Sequence, residues 1–77
     1  MPTVLREGPY RFFFYSAEGN ESPHIHVEHD GAEAKFWLDP IRLARSNGIA
    51  AHQLSRLEEI VVANQNVFLD AWNEFFH

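Results

Sequence analysis

Apolar and polar residues alternate with a period of two through the first half of the chain and with a period near 3.6 through the last third. That change predicts a sheet followed by helices. The sharpest local signal is Asp30-Gly31, a dipeptide suited to a two-residue type I′ hairpin, flanked by strands over 24–29 and 32–38. Such a turn sets the register. His29 falls opposite Ala32, Val27 opposite Ala34 and Ile25 opposite Phe36 on one face; Glu28 falls opposite Glu33, His26 opposite Lys35 and His24 opposite Trp37 on the other. The Ile25/Val27/Phe36/Leu38 face is expected to pack on the helices. Upstream, 3–6 reads as a short strand broken by Glu7-Gly8-Pro9, and 10–16, dense in aromatics, reads as another. Between them and the hairpin, 17–23 is a polar loop rich in turn formers.

Asp39-Pro40 predicts a helix start, with Asp as N-cap and Pro in the first helical position. The helix expected over 40–46 stops at Asn47-Gly48, where Gly can turn left-handed and Ile49 can close the motif. A second helix is expected over about 51–75. Its seam is Leu54, Leu57, Val61, Phe68, Ala71 and Phe75, widened by Ile60, Val67, Trp72 and Phe76 and interrupted by Asn64. At 1.5 Å per residue it would be roughly 35–40 Å long. Its aromatic end (Phe68, Trp72, Phe75, Phe76) would then overhang the sheet and require cover from another chain. The expected architecture is one α+β domain over 1–77: a three- to four-stranded antiparallel N-terminal sheet packed on a short helix and one long C-terminal amphipathic helix.

A chain of 77 residues buries only about 60–65% of its extended-chain surface, so its core is marginal without help. Cysteine is absent, which excludes disulfides and thiolate metal sites. A composition 45% hydrophobic and 14% aromatic makes a dense core feasible and self-association, most simply a homodimer, the natural supplement. The formal charge of −5 removes the overall basic field typical of nucleic-acid binding. No apolar run approaches the roughly 20 residues of a membrane span, and Met1 to Arg6 lacks signal-peptide anatomy, so the expected compartment is the cytoplasm.

The chemistry concentrates on the outer face of the expected sheet. Arg is harder to bury than Tyr or Phe, which places Arg11, Phe13 and Tyr15 on that face rather than Tyr10, Phe12 and Phe14. Phe13, Tyr15, His24, His26, Lys35 and Trp37 then form a candidate binding surface. His24-Ile25-His26 admits three readings. Two imidazoles on one strand face stand about 6.5–7 Å apart at the backbone, within reach of one metal ion with Glu28 as a third ligand. Paired histidines beside Arg11, Lys35 and Tyr15 could instead cleave RNA without a metal, one imidazole acting as base and a cation steadying the phosphate. In the simplest reading both are structural, His24 against Trp37 and His26 beside Lys35 at a partner interface; no cofactor is then required. The run His24-Ile25-His26-Val27-Glu28 is similar to the opening of the histidine-triad hydrolase signature, but Glu28 replaces the third His and the chain is too short for that fold. His52 and His77, the helix carboxylates Glu58, Glu59, Asp70 and Glu74, and the Asp30-Gly31 turn carry no distinct chemistry.

Gly8 to Ser16 (GPYRFFFYS), Pro23 to Val27 (PHIHV), Ala34 to Pro40 (AKFWLDP) and Ala71 to Phe76 (AWNEFF) together resemble an uncharacterised bacterial family, the "domain of unknown function 4160" family, over essentially the whole chain. The resemblance implies a small protein whose gene neighbours another small family, in some cases within a toxin–antitoxin-like pair. Its signature histidines map onto His24 and His26. Ala50 departs from the Ser or Thr expected as cap of the long helix. The expected function is therefore a protein-binding module that pairs with a small protein encoded nearby; the alternative is a histidine-dependent ribonuclease toxin. The acidic charge favours the former.

Overall fold

The computed structural model describes residues 3–76. The class is α+β as expected, with five strands rather than three or four: β1 (Thr3–Glu7), β2 (Tyr10–Phe13), β3 (His24–His29), β4 (Ala32–Leu38) and β5 (Ile41–Asn47), followed by α1 (Ala51–Ala63) and α2 (Gln65–Phe75). The strands form an antiparallel meander in the order β1-β2-β3-β4-β5.

The β3–β4 register is the one dictated by the turn, from His24 opposite Trp37 to His29 opposite Ala32. Asp30 and Gly31 both take positive φ, 51° and 78°, as a type I′ turn requires. Ile25, Val27, Ala34, Phe36 and Leu38 are buried on one face, where Phe12 and Phe14 join them. The helices cover that face with Leu57, Ile60 and Val61 from α1 and Phe68 and Trp72 from α2.

β2 ends at Phe13 rather than at residue 16, so the loop before the hairpin begins at Phe14, and two further segments differ from expectation. Residues 40–46 are not a helix. Asp39-Pro40 is the loop of a second hairpin, its peptide bond cis, and Ile41–Asn47 pairs along β4 from Leu38–Ile41 to Glu33–Asn47, with a register shift between Lys35 and Phe36. Helix-start chemistry is satisfied equally by a turn. Without β5, the backbone of β4 would have no partner on that side.

The long helix is two helices. At Asn64 the backbone N–H bonds the carbonyls of Ile60 and Val61 at 3.1 and 3.2 Å. The Asn64 amide Nδ2 donates to the Ile60 carbonyl at 2.8 Å, which ends α1. Gln65 Nε2 donates to the Leu38 carbonyl at 2.8 Å and ties the break to the end of β4. α2 turns Phe68 and Trp72 inward, while Val67 and Phe75, expected on the widened seam, stay 53% and 43% exposed. Of the aromatic end expected to need another chain, Phe68 and Trp72 are buried within this one, Phe76 is half-buried and Phe75 stays exposed. Phe68 stacks on Phe12 at 5.4 Å, and Trp72 meets Phe14 edge-on at 5.3 Å, within one chain. The described part of the molecule measures 34 × 22 × 20 Å. Among the described residues, no helix is long and apolar enough to cross a membrane.

Ala50 is the N-cap of α1 and has no side-chain acceptor; the Gln53 side chain returns to its N–H at 3.3 Å. Ala50→Ser supplies the missing acceptor and should raise the free energy of unfolding by about 1 kcal/mol in urea titration. An unchanged midpoint would show that water already serves those amides equally well.

Candidate functional site

β2, β3 and β4 place Arg11, Phe13, His24, His26, Lys35 and Trp37 on the sheet face opposite the helices, and Tyr15 follows β2 onto the same side. This face is roofed by the loop over 14–23, not open. His24 and His26 are fully buried, at 0% exposure, and Phe13 is 1% exposed. The loop is tied down at two further points. Glu21 Oε1 accepts from Lys35 Nζ at 2.8 Å, and Gly19 lies so close to Phe76 that a Cβ there would stand 2.6 Å from the ring.

Glu18 is the centre of the cluster. Its Oε1 lies 2.8 Å from Nε2 of His24 and 2.8 Å from Nε2 of His26, and its Oε2 lies 3.0 Å from the latter. On the far side of the rings, His24 Nδ1 is 2.9 Å from the Ser22 carbonyl oxygen. His26 Nδ1 faces Glu33 Oε1 at 3.5 Å, too far for a good hydrogen bond, and has no partner although it is buried. Glu33 is held by the Tyr15 hydroxyl, which donates to its Oε2 at 2.8 Å. Aromatic rings wall the pair: Phe13 stacks on His26 at 5.5 Å, Tyr15 meets it edge-on at 4.6 Å, and Trp72 reaches His24 at 4.7 Å.

The other expected site residues have partners of their own. Arg11 pairs with Glu28 Oε1 at 2.7 Å, bonds Thr3 Oγ1 at 2.8 Å and lies 4.4 Å over the Phe13 ring. Lys35 lies 4.5 Å over Trp37 while bonding Glu21. His24 meets Trp37 edge-on at 5.7 Å. Glu28, expected beside the histidines as a third ligand, is removed by its cross-strand neighbour Arg11. Glu18 takes that place, and no pattern in the sequence points to it. It sits in an irregular polar loop, where no periodicity assigns a side chain to a face. His52 lies exposed on α1, and His77 falls outside the described residues.

A family model described as Domain of unknown function (DUF4160) matches residues 10–73. The chain belongs to that family. The match runs from β2 through most of α2, so it contains Glu18, His24 and His26 together with the strands and loop that hold them. No curated protein and no solved structure matches the chain.

Burial lowers the pKa of His26, and the hydrogen bond and charge of Glu18 only partly offset it. Burial pushes the Glu18 carboxyl up, but its close contacts with both imidazoles outweigh that and hold it below the usual carboxylate range. A folded pKa below its unfolded value gives stability that is present above the unfolded pKa and lost as pH falls through the folded one. Both groups therefore act in the same direction. The melting temperature should fall from about pH 6.5 downward and continue to fall below about pH 4.5. Glu18→Gln should flatten the lower part of that profile in thermal melts followed by tryptophan fluorescence.

Proposed function

We propose that this family member is a protein-binding module of a two-gene, toxin–antitoxin-like pair, which captures an acidic, extended segment of its partner along β5. One observation carries the reading: β5 is the terminal strand of the sheet, and Arg42 to Asn47 are all exposed. A terminal strand directs every second N–H and C=O away from its neighbour, and an added strand can pair with them.

Charge gives the edge its preference. Residues 41–47 include Arg42 and Arg45 and no acid, on a chain of net charge −5. The arginines lie opposite Trp37 and Lys35, so the expected binding residues of β4 continue into this basic strip. By contrast the helices expose Glu58, Glu59, Asp70 and Glu74. An acidic segment is drawn to the edge and repelled by the helices. The ribonuclease alternative requires imidazoles that reach a phosphate ester. Both rings are sealed at 0% exposure, and Arg11 and Lys35 already hold carboxylates.

The test is calorimetric titration of the chain with the product of the adjacent gene. Arg42→Glu/Arg45→Glu should weaken binding at least tenfold, about 1.4 kcal/mol, with an unchanged melting temperature. Val62→Lys/Val67→Lys on the helices should leave binding intact. Absence of binding, or equal affinity in the arginine variant, would sink the reading. In cells, induced expression should leave total RNA intact; RNA loss that His26→Gln abolishes would favour the nuclease instead.

A further inference from the structure

We propose that Glu18, His24 and His26 form a binding site for one divalent transition-metal ion of the zinc class, which clamps the 14–23 loop onto the sheet. The observations behind this are the convergence of three ligand-type side chains on one point and a hydrogen pattern that two neutral imidazoles cannot satisfy.

The Ser22 carbonyl can only accept, so the 2.9 Å contact requires a hydrogen on His24 Nδ1. In the neutral ring, His24 Nε2 is then a bare lone pair, yet it lies 2.8 Å from a carboxylate oxygen. His26 has the same difficulty. With its hydrogen on Nε2, the Nδ1 lone pair faces the Glu33 carboxylate at 3.5 Å. With its hydrogen on Nδ1, the Nε2 lone pair faces both Glu18 oxygens at 2.8 and 3.0 Å. Protonating His24 alone would satisfy the Ser22 and Glu18 contacts, but it places an imidazolium in a buried site and still leaves His26 Nδ1 without a partner.

A cation among the three side chains removes the conflict at both Nε2 atoms without a buried imidazolium. Both Nε2 lone pairs and the Glu18 carboxylate point at the ion. His24 Nδ1–H donates to the Ser22 carbonyl, and His26 Nδ1–H lies 3.5 Å from Glu33, itself fixed by Tyr15, and can close on it as the side chains shift. Metal-bound imidazoles characteristically direct the second N–H to a carbonyl or carboxylate in this way. The unpartnered buried Nδ1 of His26 thereby acquires a role. The ligand atoms all lie within 4.8 Å of one another. The separations of 2.8 Å are shorter than the roughly 3.3 Å expected between ligands around a tetrahedral ion with bonds of about 2.0–2.1 Å, so the side chains part by about half an ångström on binding. Two imidazoles and a carboxylate suit zinc, cobalt or iron(II) and disfavour calcium and magnesium, which take oxygen ligands. The Glu18 side chain is 16% exposed, so entry is from the loop side, where a water can complete the coordination. In a small cysteine-free chain, such an ion supplies a cross-link between loop and strand.

The test uses tag-free protein dialysed against zinc or cobalt(II) and analysed by elemental mass spectrometry. One equivalent per chain is expected, with a rise in melting temperature of about 5 °C or more that EDTA reverses. Glu18→Gln and His26→Gln should each lose the equivalent, whereas Glu28→Gln and His52→Ala should keep it. Nitrogen-15 shifts of the wild-type rings give a readout independent of the variants: in zinc, both rings should be Nδ1-protonated with bound Nε2. Uptake below about 0.1 equivalent, full uptake by Glu18→Gln, or two imidazolium rings unchanged by zinc would each overturn the proposal.

Discussion

The alternation of β3 and β4, locked in register by the Asp30–Gly31 turn, is the constraint on which the rest of the molecule depends. A slip of one residue would exchange Ile25, Val27 and Phe36 with His24, His26 and Lys35 across the sheet. The helices would then face imidazoles and an ammonium, and the aliphatic side chains would lie beneath a polar loop. The turn excludes this cheaply, because Asp30 and Gly31 are suited to the two successive positive φ angles it needs. One dipeptide therefore separates an aliphatic and aromatic core from a polar, histidine-bearing layer only one strand thick.

The two layers are built differently. On the helix side, Phe12, Phe14, Phe36, Phe68 and Trp72 interdigitate with aliphatic residues, and non-directional burial suffices. On the other side the 16–23 part of the loop has no comparable apolar side chains, so discrete contacts hold it: Glu18 on two imidazoles, Glu21 on Lys35, and Phe76 against Gly19. Such contacts are strong when fully satisfied and costly when one is left unpaired, which is why the orphan His26 Nδ1 is informative. The α2 terminus bridges the two layers. Trp72 touches Phe14 in the core and His24 in the polar cluster, so the core and the loop are mechanically linked.

Separating the cluster from β5 also separates two possible functions within one small fold. The Glu18–His24–His26 group is enclosed and suited to holding a cation or stabilising the loop. The terminal strand is exposed, basic and suited to recognition. Arg45 approaches Glu33 at 3.8 Å, and Glu33 in turn faces His26, so the two regions are only a few side chains apart.

The sequence by itself determined the class, the hairpin register, the two-faced distribution of His24, His26, Arg11, Phe13 and Tyr15, and the family. All of these follow from period-two alternation, a turn with strict φ requirements and a cluster of short motifs, which are local properties. Tertiary structure decided three things. Ile41–Asn47 became a strand, because the open edge of β4 supplied backbone partners that a short helix could not use. The long amphipathic segment became two helices at Asn64, where Gln65 could reach Leu38 and Trp72 could swing onto Phe14 and His24. Glu18, rather than Glu28, joined the histidines, because Arg11 sits opposite Glu28 and the loop lays Glu18 across the face. Each choice depended on contacts between separate elements, and their proximity is settled only when the sheet and helices pack.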